Sequence, residues 1–391
     1  MIGSLLSAQA LTDLLVPLRP RGDVGDQEAV FAAGAWTSIV EPGDGSAGAL
    51  VGVVGAAAAL DALRRDLLPV PNPELRAAFD RWRPRLDEQV LLRAFRNAAQ
   101  IGARLLVPGD ADWPAGLDDL QVHAPQALWA LAPSGPLPRF ERSVAIVGSR
   151  SSTAYGERVT TDVAFGLAQQ GFAVVSGAAI GIDGVAHRSA LAAGGLTVAV
   201  LAGGLDRLYP AKHVDLLHRI AADGVVLAEL PCGARPMQDR FLKRNRLIAA
   251  MSRATVVVEA ALRSGAANTA AHAAQLGRPL GAVPGSVYSA ASAGTHRLIR
   301  EFDAVLVQNA AEVAQLARDP DAAVTLDGVE ALLKPDDPNE RRVLQVLSRR
   351  PRTTLEVAGR AGLSLADTGA ALGMLALAGA AAEGPSGWGR A

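Results

Sequence analysis

Ser143-Val144-Ala145-Ile146-Val147-Gly148-Ser149-Arg150-Ser151-Ser152 is the stretch on which the fold turns. Its first five residues are apolar or small without alternation, which reads as a strand covered on both faces and points to a parallel sheet. A glycine- and serine-rich turn follows, and then Tyr155–Gln170 reads as a helix. That is the opening half of a βαβ unit.

The same unit recurs on the C-terminal side. Ala173–Ser176, Thr197–Leu201, Val225–Leu230, Thr255–Glu259, Leu280–Val283 and Ala304–Val307 read as further strands. Between them, Asp183–Ala193, His213–Ala222, Asp239–Ser252 and Thr269–Leu276 read as helices. Upstream, Arg104–Val107 and Ala127–Ala130 can extend one sheet edge. The expected fold is therefore α/β, an extended Rossmann-like, doubly wound and mostly parallel sheet spanning 101–320.

Two smaller regions flank it. Residues 1–100 alternate Ala/Leu-rich helical stretches with breaks at Glu41-Pro42-Gly43-Asp44-Gly45 and Pro69–Pro73, and Glu74–Gln100 has the spacing of one or two amphipathic helices. A linker is expected over 321–338. Beyond it, Asn339–Arg349 capped by Asn339, Thr354–Ala361, a helix from Ser364 to about Ala378 and a hairpin over Ala380–Arg390 suggest a winged-helix-like domain at 339–391.

Bulk chemistry narrows the classes. With 38 Lys and Arg against 39 Asp and Glu, the formal net charge is −1, so nucleic-acid binding can rest only on a local basic patch. Cys232 is the only cysteine, which excludes an intrachain disulfide and a Cys-based zinc cluster, and suggests a reducing compartment. The apolar runs Ala47–Leu60 and Gly369–Ala382 are short of the roughly 20 residues of a spanning helix. The N-terminus lacks a basic stretch and carries Asp13, unlike a signal peptide. A cytoplasmic protein without a membrane partner is expected.

Ligands of open parallel sheets bind beyond the carboxyl ends of the strands. The loops there are rich in small residues, so backbone N–H groups can approach an anion. The first loop lacks the dinucleotide fingerprint G-x-G-x-x-G, which excludes an ordinary NAD site. Arg150 instead offers a planar fork for a phosphate, a reading favoured over a surface cap by its place after the strand. Between Arg235 and Arg253, the run Arg240-Phe241-Leu242-Lys243-Arg244-Asn245-Arg246 concentrates cations around one ring. Its bland reading is a solvated helix face. Beside the ligand edge, it also has what an unpaired strand needs, with Phe241 either a stacking platform or a core residue.

No catalytic constellation stands out. Asp183 and His187, four apart on one helix, could form an acid/base pair, but such a pair is more often a structural hydrogen bond. Glu229 and Glu259 could be a catalytic pair or caps of neighbouring loops at their strand ends. The histidines lack metal-ligand spacing, and no G-x-S-x-G elbow occurs. No cofactor or metal is expected.

Taken together, several runs resemble the DNA-processing protein A family (DprA/Smf). They are Val144-Ala145-Ile146-Val147-Gly148-Ser149-Arg150, Tyr155-Gly156, Val175-Ser176-Gly177, Gly181-Ile182-Asp183, Ala186-His187 and Tyr209-Pro210. Phe241, Arg244-Asn245-Arg246-Leu247-Ile248, Val258-Glu259-Ala260, Ser264-Gly265 and Val283-Pro284-Gly285 complete the set, which covers about 100–310. The resemblance implies a protein that binds single-stranded DNA and helps load the recombinase RecA during natural transformation. It further implies a homodimer through the Rossmann domain and no established catalysis. The DNA pocket it implies falls on Gly148, Ser149, Arg150, Ser176, Gly177, Lys212, Phe241, Lys243, Arg244, Asn245 and Arg246. Three departures stand out: His213 in place of the usual Asn, Ala266 in place of a second Ser, and Glu301-Phe302-Asp303 in place of a glycine-containing turn.

Two further readings follow. The third C-terminal helix carries no Lys or Arg, so the winged-helix-like unit is expected to add little to DNA affinity. The alternative function is a nucleotide hydrolase resembling the lysine-decarboxylase-like phosphoribohydrolases. Those need P-G-G-x-G-T-x-x-E, whereas Pro284-Gly285-Ser286-Val287 has no Glu following in place.

Overall fold

The computed structural model describes residues 7–19, 26–138, 140–262, 264–318, 337–348, 350–377, 380–384 and 387–390. The chain divides into two compact units, Met1–Arg318 and Asp319–Ala391. Most of the expected linker at 321–338 lies outside the described residues.

Within the first unit, nine strands form one sheet among the described residues. They are β1 (Arg104–Leu106), β2 (Leu128–Leu131), β3 (Ser143–Val147), β4 (Ala173–Ser176), β5 (Thr197–Leu201), β6 (Val225–Ala228), β7 (Ala254–Val257), β8 (Leu280–Ala282) and β9 (Val305–Leu306). Their order is β1-β2-β6-β5-β4-β3-β7-β8-β9. The pairs from β6 to β9 are parallel, while β1–β2 and β2–β6 are antiparallel. The expected doubly wound sheet is thus what the structure shows. The chain walks outward from β3 to β6 and then returns to lay β7 on the other side of β3. That reversal is the topological switch point, where a crevice opens beyond the strand ends.

Both faces of β3 to β8 are covered, which is why they read as unbroken apolar runs, whereas Val305 and Leu306 of the edge strand β9 are exposed. Val144 and Ile146 of β3 pack with Val163 and Leu167 of the helix Ala154–Gln169. Ala145 and Val147, pointing the other way, pack with Leu247 and Ile248 of the helix Gln238–Met251. Five strands end earlier than expected: β1 at Leu106, β6 at Ala228, β7 at Val257, β8 at Ala282 and β9 at Leu306. After β6 and β7 the chain leaves the ladder, and the carboxylates Glu229 and Glu259 bond to side chains and backbone of neighbouring elements.

The N-terminal helices share a core with the outer part of the sheet. Phe95 meets Trp129 of β2 edge-on with centroids 5.2 Å apart, and Trp36 meets Trp82 at 5.4 Å. The indole N–H of Trp129 donates to the buried hydroxyl of Thr37 at 3.2 Å. The amphipathic stretch 74–100 forms two helices, Pro73–Trp82 and Glu88–Gln100, with Asp87 capping the second. No single described helix is long and apolar enough to cross a membrane; Gly45–Val54 and Ala56–Arg65 meet at a bend of 110°.

The second unit holds the helices Pro338–Val346, Thr354–Ala361 and Leu365–Leu377, and an antiparallel pair Ala381–Gly384 with Gly387–Arg390. The first of these helices corrects the sequence reading. Asp337, not Asn339, is its cap, accepting the amides of Asn339 at 2.6 Å and Glu340 at 3.3 Å. Pro338 takes the first helical position, where a missing N–H costs nothing. The helix Gly265–Gln275 likewise starts four residues before the expected Thr269, because Ser264 caps it. Ser264 accepts the amide of Ala267 at 3.4 Å.

Candidate nucleic-acid interface

An open cleft of about 750 Å³ lies at the switch point. Its walls come from the loop after β3 (Gly148–Ser151), from Ala179 in the loop after β4 and Asp183 in the first turn of the helix Ile182–Ala192, and from Ala261 and Ser264 after β7 with Gly265 at the start of its helix. The helix Gln238–Met251 closes it with Phe241, Leu242, Arg244 and Asn245, and Tyr209 stands at the rim.

The loop after β3 is built to present backbone. The carbonyl of Ser149 accepts the amide of Ile182 at 3.2 Å, and the Ser149 hydroxyl accepts the amide of Ser151 at 3.1 Å. The amides of Gly148, Ser149 and Arg150 donate to no protein acceptor among the described residues. Gly181 must be glycine for this packing: its φ is +88°, and a Cβ would lie 2.3 Å from the Ser149 carbonyl oxygen. Arg150 is exposed, and its guanidinium carbon lies 5.3 Å from the centroid of the Phe241 ring. Phe241 is half-buried and also meets the Tyr209 ring at 5.7 Å. It is therefore a wall of the cleft rather than a core residue.

Arg244 lies deeper. It is 5% exposed and donates to the carbonyl of Gly177 at 2.8 Å and to that of Val200. A Cβ on Gly177 would lie 2.4 Å from both terminal guanidinium nitrogens, so the glycine makes room for the arginine. Burial lowers the Arg244 pKa to about 10, which leaves it charged at neutral pH, and the neighbouring Asp183 offsets part of that fall. The same burial pushes the Asp183 carboxyl above its ordinary range, against the pull of Arg244 and the amides of Ala179 and Gly177. Those amides reach its Oδ2 at 3.3 and 3.1 Å. Asn245 ties two helices together, donating to the Gly265 carbonyl at 3.3 Å and the Asn268 side chain at 3.1 Å.

The structure brings together in the cleft Gly148, Ser149, Arg150, Phe241, Arg244 and Asn245. Gly177 and Ser176 stand behind it: Ser176 is buried and donates to the Ile146 carbonyl at 2.6 Å. Lys212 is exposed on the short helix Ala211–His213, and Lys243 is half-buried; neither lines the cleft. Arg246 is elsewhere altogether. It is 5% exposed and forks onto Glu229, with N–O distances of 2.6 and 2.7 Å, and its Nε donates to the His123 carbonyl at 3.0 Å. Arg240 is similarly engaged by Glu41 at 2.9 and 3.0 Å.

The basic run is thus not one solvent-facing strip of charge. Arg240 and Arg246 pair with carboxylates, and Arg244 and Leu247 point inward. Nothing near the run announces Glu41, which lies 199 residues away from Arg240 in sequence. Two arginines, Arg85 and Arg240, hold its carboxyl at a pKa of about 2 against the opposing effect of burial.

The residues that invite catalytic readings serve local structure. Glu259 accepts the amide of Thr153 at 2.9 Å and its hydroxyl at 2.5 Å, fixing the cap of the helix Ala154–Gln169. His187 meets the Thr197 hydroxyl at 2.7 Å and does not pair with Asp183. Burial holds the His187 pKa down to about 3. Among the described residues, no group of three or more His, Cys, Asp or Glu could hold a metal ion. Tyr209 is the ring of the cleft that sequence reasoning did not single out for DNA binding. Its only sequence signal was the Tyr209-Pro210 pair, which says nothing of what the ring faces.

Comparison with known proteins adds an independent line. The family described as DNA recombination-mediator protein A matches residues 104–318. A putative DNA processing protein DprA from Mycobacterium tuberculosis is 43% identical over 360 residues, spanning 88% of this chain and 87% of the relative. Protein Smf from Escherichia coli is 36% identical over 211 residues, covering 54% of this chain and 56% of its own length. The solved structure of DNA processing protein A from Streptococcus pneumoniae superimposes with a TM-score of 0.55 at 33% identity, over 63% of this chain and 83% of that one.

Proposed function

The chain belongs to the DNA recombination-mediator protein A family, and from that premise we propose that its switch-point cleft binds single-stranded DNA. The observation that carries this reading is the convergence at one sheet edge of three open amides, an exposed guanidinium and the half-buried Phe241 ring beneath it. Gly148, Ser149 and Arg150 supply N–H groups and the Arg150 fork for one phosphate. Arg244 adds a fixed positive charge in the floor, and Asn245 a polar edge. Phe241 offers an apolar face to a base. Gly177 and Ser176 support the arginine and the loop. Lys212 and Lys243 act from outside the cleft on phosphates of the flanking strand. Arg246 serves by holding the helix to Glu229.

An unpaired strand fits this arrangement better than a duplex. A duplex hides its base faces in the stack, whereas a ring wall and a narrow cationic loop engage a splayed base and its own phosphate together. The protein acts by holding DNA, without turnover. On this reading the held strand is passed to the recombinase RecA during recombination and natural transformation. Two copies joined through the Rossmann domain would place two clefts on one strand, and the second contact would then gain by effective concentration.

The test is a salt titration of binding to a fluorescent oligo-dT, with the matching duplex as competitor. With one phosphate each neutralised by Arg150, Lys212 and Lys243, the log–log slope is expected to be about −2.1 per cleft, at about 0.7 per phosphate of a single strand. Absence of binding at low salt, or preference for the duplex, would overturn the reading.

A further inference from the structure

We propose that Tyr209 is a second base-stacking residue of the cleft, and the one that a base meets first; this rests on the single-stranded-DNA reading above. Among the residues lining the cleft, only Tyr209 and Phe241 carry aromatic rings. They are not equally available. The Arg150 guanidinium sits over the Phe241 ring, 5.3 Å from its centroid, so that face is occupied while no phosphate draws the arginine away. Tyr209 is 51% exposed, and its hydroxyl meets no partner among the described residues.

The tyrosine is also held in place rather than merely left out in solvent. Its ring leans on Phe241 at 5.7 Å between centroids and 56° between planes. The loop that carries it is pinned on both sides. Asp206 accepts the amide of Gly233 at 2.8 Å, and the buried His213 ring meets the Ala178 carbonyl at 3.0 Å in the loop after β4. A pre-positioned ring loses little freedom when a base settles on it, which favours binding. The two rings make an angled shelf with Arg150 as its latch. A phosphate that takes the guanidinium uncovers Phe241, and Tyr209 is open throughout.

The competing role for Tyr209 is packing, as a prop for Phe241. The two roles separate by what the DNA carries. Binding of oligo-dT and of an abasic sugar–phosphate strand of equal length is measured by fluorescence anisotropy for the wild type, Tyr209→Ala and Tyr209→Phe. Stacking predicts that Tyr209→Ala loses about tenfold on oligo-dT and nothing on the abasic strand. Tyr209→Phe binds both like the wild type, and the salt slope of every variant is unchanged, because no phosphate contact is removed. Unchanged oligo-dT affinity in Tyr209→Ala, an equal loss on both strands, or a loss in Tyr209→Phe would overturn the proposal. Failure of the wild type to bind oligo-dT at low salt would instead overturn the reading on which it rests.

Discussion

The guanidinium of Arg150 lies over the Phe241 ring, with 5.3 Å between its central carbon and the ring centroid. The two residues come from different elements, the loop after β3 and the helix Gln238–Met251, and each covers the group the other would offer to DNA. A cation–π contact at such an exposed site is worth about 0.5–1 kcal/mol, less than a charge-assisted bond to phosphate returns. The resting pair is therefore easily exchanged for ligand contacts. Arg150→Glu is expected to weaken oligo-dT binding at least about tenfold and to reduce the salt slope by about 0.7. Circular dichroism should stay that of the wild type. Undiminished binding would remove Arg150 from the site.

Gly177 and Arg244 form a lock of a different kind. Gly177→Ala places a methyl group 2.4 Å from the guanidinium nitrogens, so the arginine must move or the loop must open. A destabilisation of about 1–3 kcal/mol is expected from the overpacking, together with weaker oligo-dT binding from a displaced charge. Urea melts and anisotropy report the two effects separately. A variant as stable as the wild type would mean that Arg244 has another place to go.

Arg246 should behave as a structural residue. Removing it in Arg246→Ala leaves the buried Glu229 carboxylate without its fork, at a cost of about 3–5 kcal/mol. The fraction that remains folded should keep its affinity for oligo-dT and its salt slope. A shallower slope in the folded fraction would instead give Arg246 a phosphate.

Acid sensitivity should trace to His187. The Thr197 hydroxyl donates its proton to the Val174 carbonyl at 2.8 Å, so at 2.7 Å it accepts from Nδ1–H of His187. Nε2 is then the atom that would protonate, and it is buried without a partner. The folded pKa of about 3 lies below the ordinary 6.5, so the unfolded chain binds the extra proton. Stability from this group is complete above pH 6.5 and is lost as pH falls toward 3, at roughly 1.4 kcal/mol per unit. His187→Gln should flatten the dependence of unfolding free energy on pH between 6 and 4 by about one proton. Equal slopes in the two proteins would show that His187 does not titrate on unfolding.

The C-terminal unit should add little to DNA affinity. Its helix Leu365–Leu377 carries no Lys or Arg, and Asp367 in its first turn accepts the Ser364 hydroxyl at 2.6 Å. A chain ending at residue 334 is expected to bind oligo-dT as the full chain does. Loss of most of the affinity would assign the unit a DNA-binding role.

Much of the fold is legible because its signals are local. An apolar run such as Ser143–Val147 states by itself that both its faces are covered, and the glycine-rich turn after it marks the ligand edge. Element ends were less legible where a side chain settles them: Ser264 and Asp337 each start a helix at a place that periodicity alone misses. The site was half legible. Arg150 could be singled out from its position after a strand, since that position alone sends it to the crevice.

What the sequence by itself determined is the alternation of strands and helices, the sheet edge at which the cleft opens, and the local excess of cations near it. Only the tertiary structure decided which of those cations are available. Arg240 is taken by Glu41, Arg246 by Glu229, and Arg244 by carbonyls of Gly177 and Val200, while Arg150 keeps its guanidinium in the open cleft. The physical reason is that apolar burial follows from neighbours a few residues apart, whereas a charge is neutralised by whatever partner the fold brings to it.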